Sequence, residues 1–429
     1  MKVIVAHPGK QHSFQTATAF KKSGDLYKYI TTVYNKPRTW TRLLTKIAKG
    51  DLQKKIKGRR CEELDDTDVI QFNELFVIIT LFLNKISGFT KIAGVWNGWV
   101  ESSFYKKVMK YAKKHNVDVV IVYNGYAKKY FEILQDTKIL KFIDVSIAGR
   151  EYLRDILQRE IDITGIEQIK EDHFTYWNHK MIKNDLEGCR KADYFLAPSE
   201  FVKKSLVCQG IKENKILKVP YGVNIDHFKV NNERKTVNGP LKLIYTGGIA
   251  YRKGLHRLFH VLNHFKEDEI ELYLAGAYDP ASELYIKNKD RKNIKFLGFV
   301  TRDKLNAVYN MADAFILPSF AEGMAMVGLE AQACGLPVIC TYNSGVNDVI
   351  QNGWNGFVYD PFDENKLVEI LEWCCSHREE LLAMAPAAMA TAKKYTWDIY
   401  HKNLVAAVKE VVERGKNEGF IYCKRTISI

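Results

Sequence analysis

The sequence predicts an α/β protein made of two consecutive doubly wound halves. Three observations carry that expectation. Short apolar runs alternate with helix-like segments along nearly the whole chain, the pattern of strands wrapped by helices. The alternation breaks over residues 223–240, where periodicity is lost and Asn, Lys and Gly gather as in an interdomain linker. And 429 residues exceed one ordinary hydrophobic core, pointing to two domains or three at most.

Taken in order, the first half offers strand candidates at residues 2–6 (KVIVA), 117–123 (VDVVIVY), 141–146 (KFIDVS), 194–199 (YFLAPS) and 215–220 (KILKVP). The second half opens with residues 241–248 (LKLIYTGG) and a helix whose apolar positions Leu255, Leu258, Phe259, Leu262 and Phe265 fall on one face. Strands at 270–276, 293–298 and 314–319 follow, then a helix and the strand GLPVICT after Cys334. Residues 398–415 read as a closing helix with an apolar stripe. Neither half contains G-x-G-x-x-G, which argues against a dehydrogenase.

A hydrophobic content of 46% and an aromatic content of 12% exclude a disordered chain. The eight cysteines form no C-x-x-C pair and no metal-ligand spacing with histidine. They read as reduced core thiols of a cytoplasmic protein. MKVIVAHPG has the apolar run of a first strand but not the h-region of a signal peptide. The longest charge-free apolar run, residues 75–84, is well short of the roughly 20 residues that a membrane span needs.

The net charge of +14 is unevenly placed: residues 1–50 carry ten Lys or Arg against the single acid Asp25. The basic run continues through Lys54, Lys55, Lys57, Arg59 and Arg60, with Tyr27, Tyr29, Tyr34 and Trp40 interleaved. No nucleic-acid-binding motif accompanies it, and nucleic acid is not an expected partner. With the apolar segment 69–86, it reads as a surface for an anionic membrane, which would place the protein peripherally on the inner face of the plasma membrane. A solvated helix face is the competing reading.

Residues 320–338, FAEGMAMVGLEAQACGLPV, hold Glu322 and Glu330 with seven residues between them. Strand, loop with Glu322, helix with Glu330 and strand make a βαβ unit, and ligands of such sheets bind at the carboxyl ends of the strands. Eight helical residues rise at most about 12 Å, comparable to the reach from a nucleotide ribose to a sugar beyond its diphosphate. Each carboxylate would then take one sugar's hydroxyls. The N–H groups near Ala325, Met326 and Val327 and the positive end of the helix dipole would face the phosphates between. A buried helix flanked by two surface acids is the bland alternative.

Gly247-Gly248 and Arg252-Lys253-Gly254 stand between the second half's first strand and first helix. A glycine-rich turn lets backbone approach a phosphate, and two cations beside it would neutralise a departing diphosphate. A turn with a basic helix cap is the competing reading. In the first half, residues 7–13 (HPGKQHS) form the loop after the first strand. Gly9 would there pass near the diphosphate and His12 would meet donor or acceptor. Asp144 and Arg150, at the end of another strand, are weaker candidates for which a strand-end ion pair suffices. Asp65-Asp66-Thr67-Asp68 is acidic but reads as a solvated turn rather than a metal pair.

Glu322-Gly323, seven intervening residues from Gly323 through Leu329, Glu330 and then Gly335-Leu336-Pro337-Val338 together resemble the signature of the retaining nucleotide-sugar glycosyltransferases of family four. Pro220-Tyr221-Gly222-Val223-Asn224, with Asn224 in place of the usual Asp, and Ala197-Pro198-Ser199-Glu200-Phe201 are further landmarks in the expected order. The resemblance implies the GT-B fold, two Rossmann-like domains facing a cleft. Its last helix would cross back, so that the acceptor-side domain comprises 1–222 plus 398–429 and the nucleotide-sugar domain 241–397, joined by 223–240.

It further implies that Glu330 holds the donor's ribose while Glu322 meets the transferred sugar, with Gly323, Met324, Ala325, Met326 and Val327 along the donor. Lys253 matches the family lysine. Ile249 follows Gly248 where the family has arginine, a role that Arg252 could have taken. Phe299 and Val300, after Gly298, resemble the segment whose backbone meets the base. The implied reaction is a metal-independent, cofactor-free, front-face transfer from a nucleotide-diphosphate sugar to a glycan or lipid-linked acceptor of cell-surface polysaccharide synthesis. A GT-B sugar-nucleotide epimerase and a non-catalytic basic protein binding membrane or nucleic acid are the alternatives.

Overall fold

The computed structural model describes residues 1–83, 90–123, 126–231 and 239–426. Those residues form two parallel sheets. The first contains β1 (Val3–Ala6), β2 (Leu26–Thr31), β3 (Val69–Gln71), β4 (Val119–Tyr123), β5 (Leu140–Asp144), β6 (Tyr194–Ala197) and β7 (Ile216–Lys218), in the order β3-β2-β1-β4-β5-β6-β7. The second contains β8 (Leu241–Thr246), β9 (Ile270–Ala275), β10 (Ile294–Gly298), β11 (Ala314–Leu317), β12 (Val338–Thr341) and β13 (Gly356–Tyr359), in the order β10-β9-β8-β11-β12-β13. β1 and β4 are buried at every position, as strands covered on both faces must be.

Helices of the first unit are α1 (Ser13–Lys22), α2 (Trp40–Ile47), α3 (Gly50–Lys57), α4 (Glu74–Leu83), α5 (Thr90–Lys114), α6 (Arg150–Thr164), α7 (Gln168–Asp172), α8 (His179–Cys189) and α9 (Glu200–Cys208). Around the second sheet lie α10 (Leu255–Val261), α11 (Glu283–Ile286), α12 (Arg302–Asn310), α13 (Met326–Ala333), α14 (Glu364–Ser376), α15 (Arg378–Ala383) and α16 (Ala385–Lys393). α17 (Trp397–Thr426) then returns to the first unit. There Tyr400 Oη lies 3.0 Å from Thr16 Oγ1, and Lys22 and Lys409 pair with Asp398 and Asp25 at 2.7 and 2.9 Å.

The chain crosses between units twice, and the crossings lie side by side. Val223 N–H donates to the Tyr395 carbonyl at 2.8 Å. Asn224 closes a turn after the first crossing, its Oδ1 accepting from the N–H groups of Asp226 and His227 at 3.0 and 3.1 Å. Of the segment 223–240, residues 232–238 lie outside the described residues.

Strand β13 was not expected, and neither were β2 and β3 of the first sheet. The short stretches of β2 and β3 carry Lys28 and Gln71 and show no clean period, yet β2 pairs with both β1 and β3. This corrects the reading of the interleaved tyrosines: Tyr29 and Tyr34 are wholly buried core side chains, not surface aromatics. The apolar segment 69–86 divides into β3 and α4, its last three residues lying outside the described ones. Asp65 and Asp68 form a turn held by Lys21, which reaches both carboxylates at 2.7 Å.

Candidate active site

Parallel sheets bind ligands beyond the carboxyl ends of their strands, where the strand order reverses. In the second sheet that point lies between β8 and β11. The loop after β8 carries Arg252 and Lys253 in a 3₁₀ turn, and the loop after β11 carries Glu322. Gly254 ends the turn at φ 70°, with a Cβ position 1.8 Å from the Pro318 carbonyl oxygen, so only glycine fits there. The Phe320 N–H donates to the Arg252 carbonyl at 2.9 Å, locking the two loops together.

Lys253 Nζ is bonded to Glu322 Oε1, and Arg252 Nη1 stands 3.5 Å from the same oxygen. All three side chains are largely withdrawn from solvent, at 19, 15 and 12% exposure for Lys253, Arg252 and Glu322. Burial favours the neutral carboxyl of Glu322, but Lys253 and Arg252 outweigh it and hold the group below the usual glutamate range. Burial lowers the Lys253 ammonium, opposed by Glu322. The product is a compact cationic pair already neutralised in part by one carboxylate.

Glu322 leads into α13, whose N-cap position is Ala325 and whose first turn has neither a side-chain cap nor an acid. An uncapped N-terminus offers backbone N–H groups and the positive dipole end to an anion. Glu330 lies farther along α13, where Tyr309 Oη donates to its Oε2 at 3.0 Å. Burial raises the Glu330 carboxyl, against the Tyr309 hydrogen bond and the charges of Arg302 and His227. The first unit closes over this loop. Ser199, the N-cap of α9, donates to the Gly323 carbonyl at 2.5 Å, and a Cβ on Gly323 would lie 1.8 Å from the Ser146 carbonyl oxygen.

The structure thus brings Lys253, Arg252, Glu322, Gly323, Met324, Ala325, Met326 and Val327 into one neighbourhood. Gly248 lies in the same β8 loop, its carbonyl accepting from Tyr245 Oη at 2.8 Å. Phe299 and Val300 follow β10 at the sheet's edge, and the Phe299 ring is 72% exposed.

His12 is held by partners other than Lys253 and Glu322 and reaches the Glu322 loop through Tyr221, whose N–H donates to Met324 Sδ at 3.3 Å. The His12 Nε2 is 2.9 Å from Asp144 Oδ2, and its ring packs 4.2 Å from Tyr221 and 5.1 Å from Tyr123, centroid to centroid. With 6% of its surface exposed, it is packed against Tyr221, just before the first crossing between units. Gly9 donates its N–H to His7 Nδ1 at 2.7 Å, folding that loop on itself. Asp144 and Arg150 do not pair with each other: Asp144 meets His12, and Arg150 Nε lies 2.8 Å from Asp185.

One residue near the cations was not foreseen. His173, just after α7 in the first unit, feels the charges of Arg252 and Lys253, and burial together with those cations brings its imidazole down to about 4. Its Nε2 is buried without a hydrogen-bond partner. Nothing in the surrounding EDHFTYW marks it, because its proximity arises only when the two units meet. Among the described residues no group of three or more His, Cys, Asp or Glu side chains has the geometry to hold a metal ion.

Residues 227–390, which contain every element of the second sheet's site, match the family model described as glycosyl transferases group 1. The sulfoquinovosyl transferase SQD2 of Arabidopsis thaliana is 28% identical over 221 residues, covering 48% of this chain and 42% of that protein, so the match spans less than half of that relative's length. The amylovoran biosynthesis glycosyltransferase AmsK of Erwinia amylovora is 24% identical over 70% of this chain and 71% of its own. The crystal structure of Anabaena HepE in complex with UDP superposes with a TM-score of 0.63 at 15% identity, covering 96% of this chain and 100% of that one. Over residues 227–390 the chain is thus similar to the group 1 glycosyl transferases, and as a whole it has the GT-B fold.

Proposed function

We propose that this protein is a retaining glycosyltransferase that moves a sugar from a nucleotide-diphosphate sugar to a glycan or lipid-linked acceptor in cell-surface polysaccharide synthesis. The observation that carries the reading is the convergence of Lys253 and Arg252 on Glu322, beside the uncapped start of α13 at the sheet's switch point. A departing diphosphate needs positive charge where its own charge develops. Lys253, Arg252 and the N–H groups around Ala325–Val327 supply it without a metal ion. Glu322 would turn from its cation partners toward the transferred sugar as the diphosphate takes its place beside them. Glu330 and Tyr309, at the far end of the α13 contact, suit the hydroxyls of a ribose.

The sugar–phosphate bond breaks with oxocarbenium character, and a donor phosphate oxygen takes the acceptor's proton on the same face. In this reading residues 241–397 hold the donor, while 1–222 and 398–429 present the acceptor. His12 acts as a positioning residue through Asp144 and Tyr221. That AmsK is named for amylovoran biosynthesis and that HepE has been crystallised with UDP support the polysaccharide and nucleotide parts of the proposal. The buried thiols of Cys61, Cys189, Cys334, Cys340 and Cys374, none of them in a disulfide, suit a cytoplasmic setting.

Nucleotide release from a panel of UDP-, GDP- and ADP-sugars tests the chemistry. Lys253→Ala and Glu322→Gln should each slow turnover of the accepted donor by about 10²–10³-fold, the scale of losing one charge-stabilising group. Wild-type turnover in both variants, or no release from any donor by the wild type, contradicts the assignment. Conversion of the donor sugar to its epimer without transfer would favour an epimerase.

A further inference from the structure

Helix α2 is amphipathic in the opposite sense to a helix that covers a core. Its buried positions are Thr41 and Thr45, whereas Trp40, Leu43 and Ile47, at i, i+3 and i+7, are 53, 47 and 67% exposed. The helix is held in this orientation by polar contacts on its inner side. Thr39 caps it by accepting from the Arg42 N–H at 3.2 Å, and the Thr41 N–H and hydroxyl both donate to Glu74 Oε1 at 2.8 and 2.6 Å. Thr45 donates to the Thr41 carbonyl at 2.9 Å.

Glu74 opens α4, which brings Leu75 and Ile79 to the surface at 44 and 37% exposure. Trp99 of α5, 53% exposed, packs edge-on against Phe76 with centroids 5.5 Å apart. Exposed large apolar side chains therefore lie on three neighbouring helices, α2, α4 and α5, joined through Glu74 and Phe76. An apolar patch of this kind on a soluble surface marks an interaction site. Arg38, Arg42, Lys46 and Lys49 are exposed around it, and residues 37–60 hold nine Lys or Arg against the single acid Asp51.

We infer that this face docks the protein on an anionic lipid surface, with Trp40, Leu43 and Ile47 entering the boundary between headgroups and acyl chains and the four exposed cations meeting headgroup phosphates. Charge selects this occupant over the others. A second copy of the chain would set two strongly cationic faces against each other, and a nucleic acid would leave the apolar centre covered only by phosphate. The inference rests on the surface alone and stands independently of the transfer reading. If both hold, the docked face presents the acceptor-side unit to lipid-linked molecules in the same membrane.

Co-sedimentation of the full chain with vesicles of phosphatidylcholine, alone or mixed with phosphatidylglycerol, tests it. The wild type should sediment with the mixed vesicles and not with phosphatidylcholine alone. The double variants Leu43→Glu with Ile47→Glu, and Arg42→Glu with Lys46→Glu, should each lower that partition by about tenfold or more. Because the altered side chains are exposed, both variants should keep the wild-type melting temperature and the wild-type rate of donor turnover without vesicles. Equal recovery of the wild type with both vesicle types, wild-type partition of the two variants, or a solution dimer that Leu43→Glu with Ile47→Glu dissociates would each overturn the inference. Loss of turnover with intact sedimentation bears on the transfer reading alone.

Discussion

Glu322 and Glu330 share one sequence motif but receive opposite electrostatic treatment. Two cations hold Glu322 ionised despite its burial, while Glu330 is shifted upward by burial and held by a single neutral donor, Tyr309. The motif's spacing was legible because a turn glycine and a helix separate two acids that each need a partner. Their different partners were not legible, since Tyr309 and Lys253 lie 21 and 69 residues from them in sequence. His173 was invisible for the same reason. A buried, unpartnered imidazole nitrogen facing two cations is expensive unless something bonds it. Under the transfer reading that partner is a donor or acceptor oxygen. His173→Ala is therefore expected to lower kcat/KM by about tenfold, one lost hydrogen bond's worth, without lowering the melting temperature. A fall in melting temperature with unchanged kcat/KM would make His173 structural.

At the scale of elements, α6 and α10 clasp the two units together. Glu160 of α6 is completely buried and accepts from Arg257 Nε and Nη2 at 2.8 and 2.6 Å, with His256 Nε2 at 2.8 Å. Arg257 also reaches Glu364 of α14 at 3.2 Å. α10 begins two residues after Lys253, so the clasp fixes the helix on which the cation loop is mounted. Removing one partner of a buried ion pair leaves the other uncompensated and costs about 3–5 kcal/mol. Urea unfolding of Glu160→Gln should show a loss of that size, whereas Lys366→Ala, in the exposed pair with Glu369, should leave stability unchanged. Equal effects from the two variants would remove the clasp.

The apolar strands β1, β4, β5 and β6 and the face of α10 were readable because burial on both sides of a parallel sheet leaves near-continuous hydrophobic runs. β2 hid behind its lysine, whose ammonium snorkels to the Thr67 carbonyl at 2.6 Å. α2 carried a helical pattern whose inner side could not be told from its outer one by sequence. Only the Glu74 contacts decide it.

For the whole molecule, three imidazoles buried in the neutral state shape the response to acid. Burial lowers His7, His173 and His401 each to about 4. Between roughly 6.5 and that value the unfolded chain binds protons that the folded chain does not, so stability falls as pH drops through this window. Glu101 works in the opposite direction: burial raises it to about 7, opposed by Arg150, so it favours the folded state as pH falls. Glu330, Asp172 and Asp348 are raised by burial too, but from ordinary values below pH 5, so between pH 7 and 5 the three imidazoles outweigh Glu101 and leave a net loss. Melting temperatures measured from pH 7 down to 5 should decline steadily, and a flat or rising profile would contradict these burial assignments. The order of landmarks along the chain made this two-unit architecture legible. The contacts between the units, Ser199 with Gly323 and Glu160 with Arg257, join residues about a hundred positions apart and were not.

The central claim is that a nucleotide diphosphate binds at the start of α13, held by Glu330 at one end and by Lys253 at the other. Thermal shift of the wild type, Glu330→Ala and Lys253→Ala with UDP, GDP and ADP tests it most directly. One nucleotide at about a hundred times its Kd should stabilise the wild type by about 2.7 kcal/mol, and both variants should lose most of that shift at the same concentration. A wild type that responds to none of the three, or variants that respond as fully as the wild type, would contradict the account.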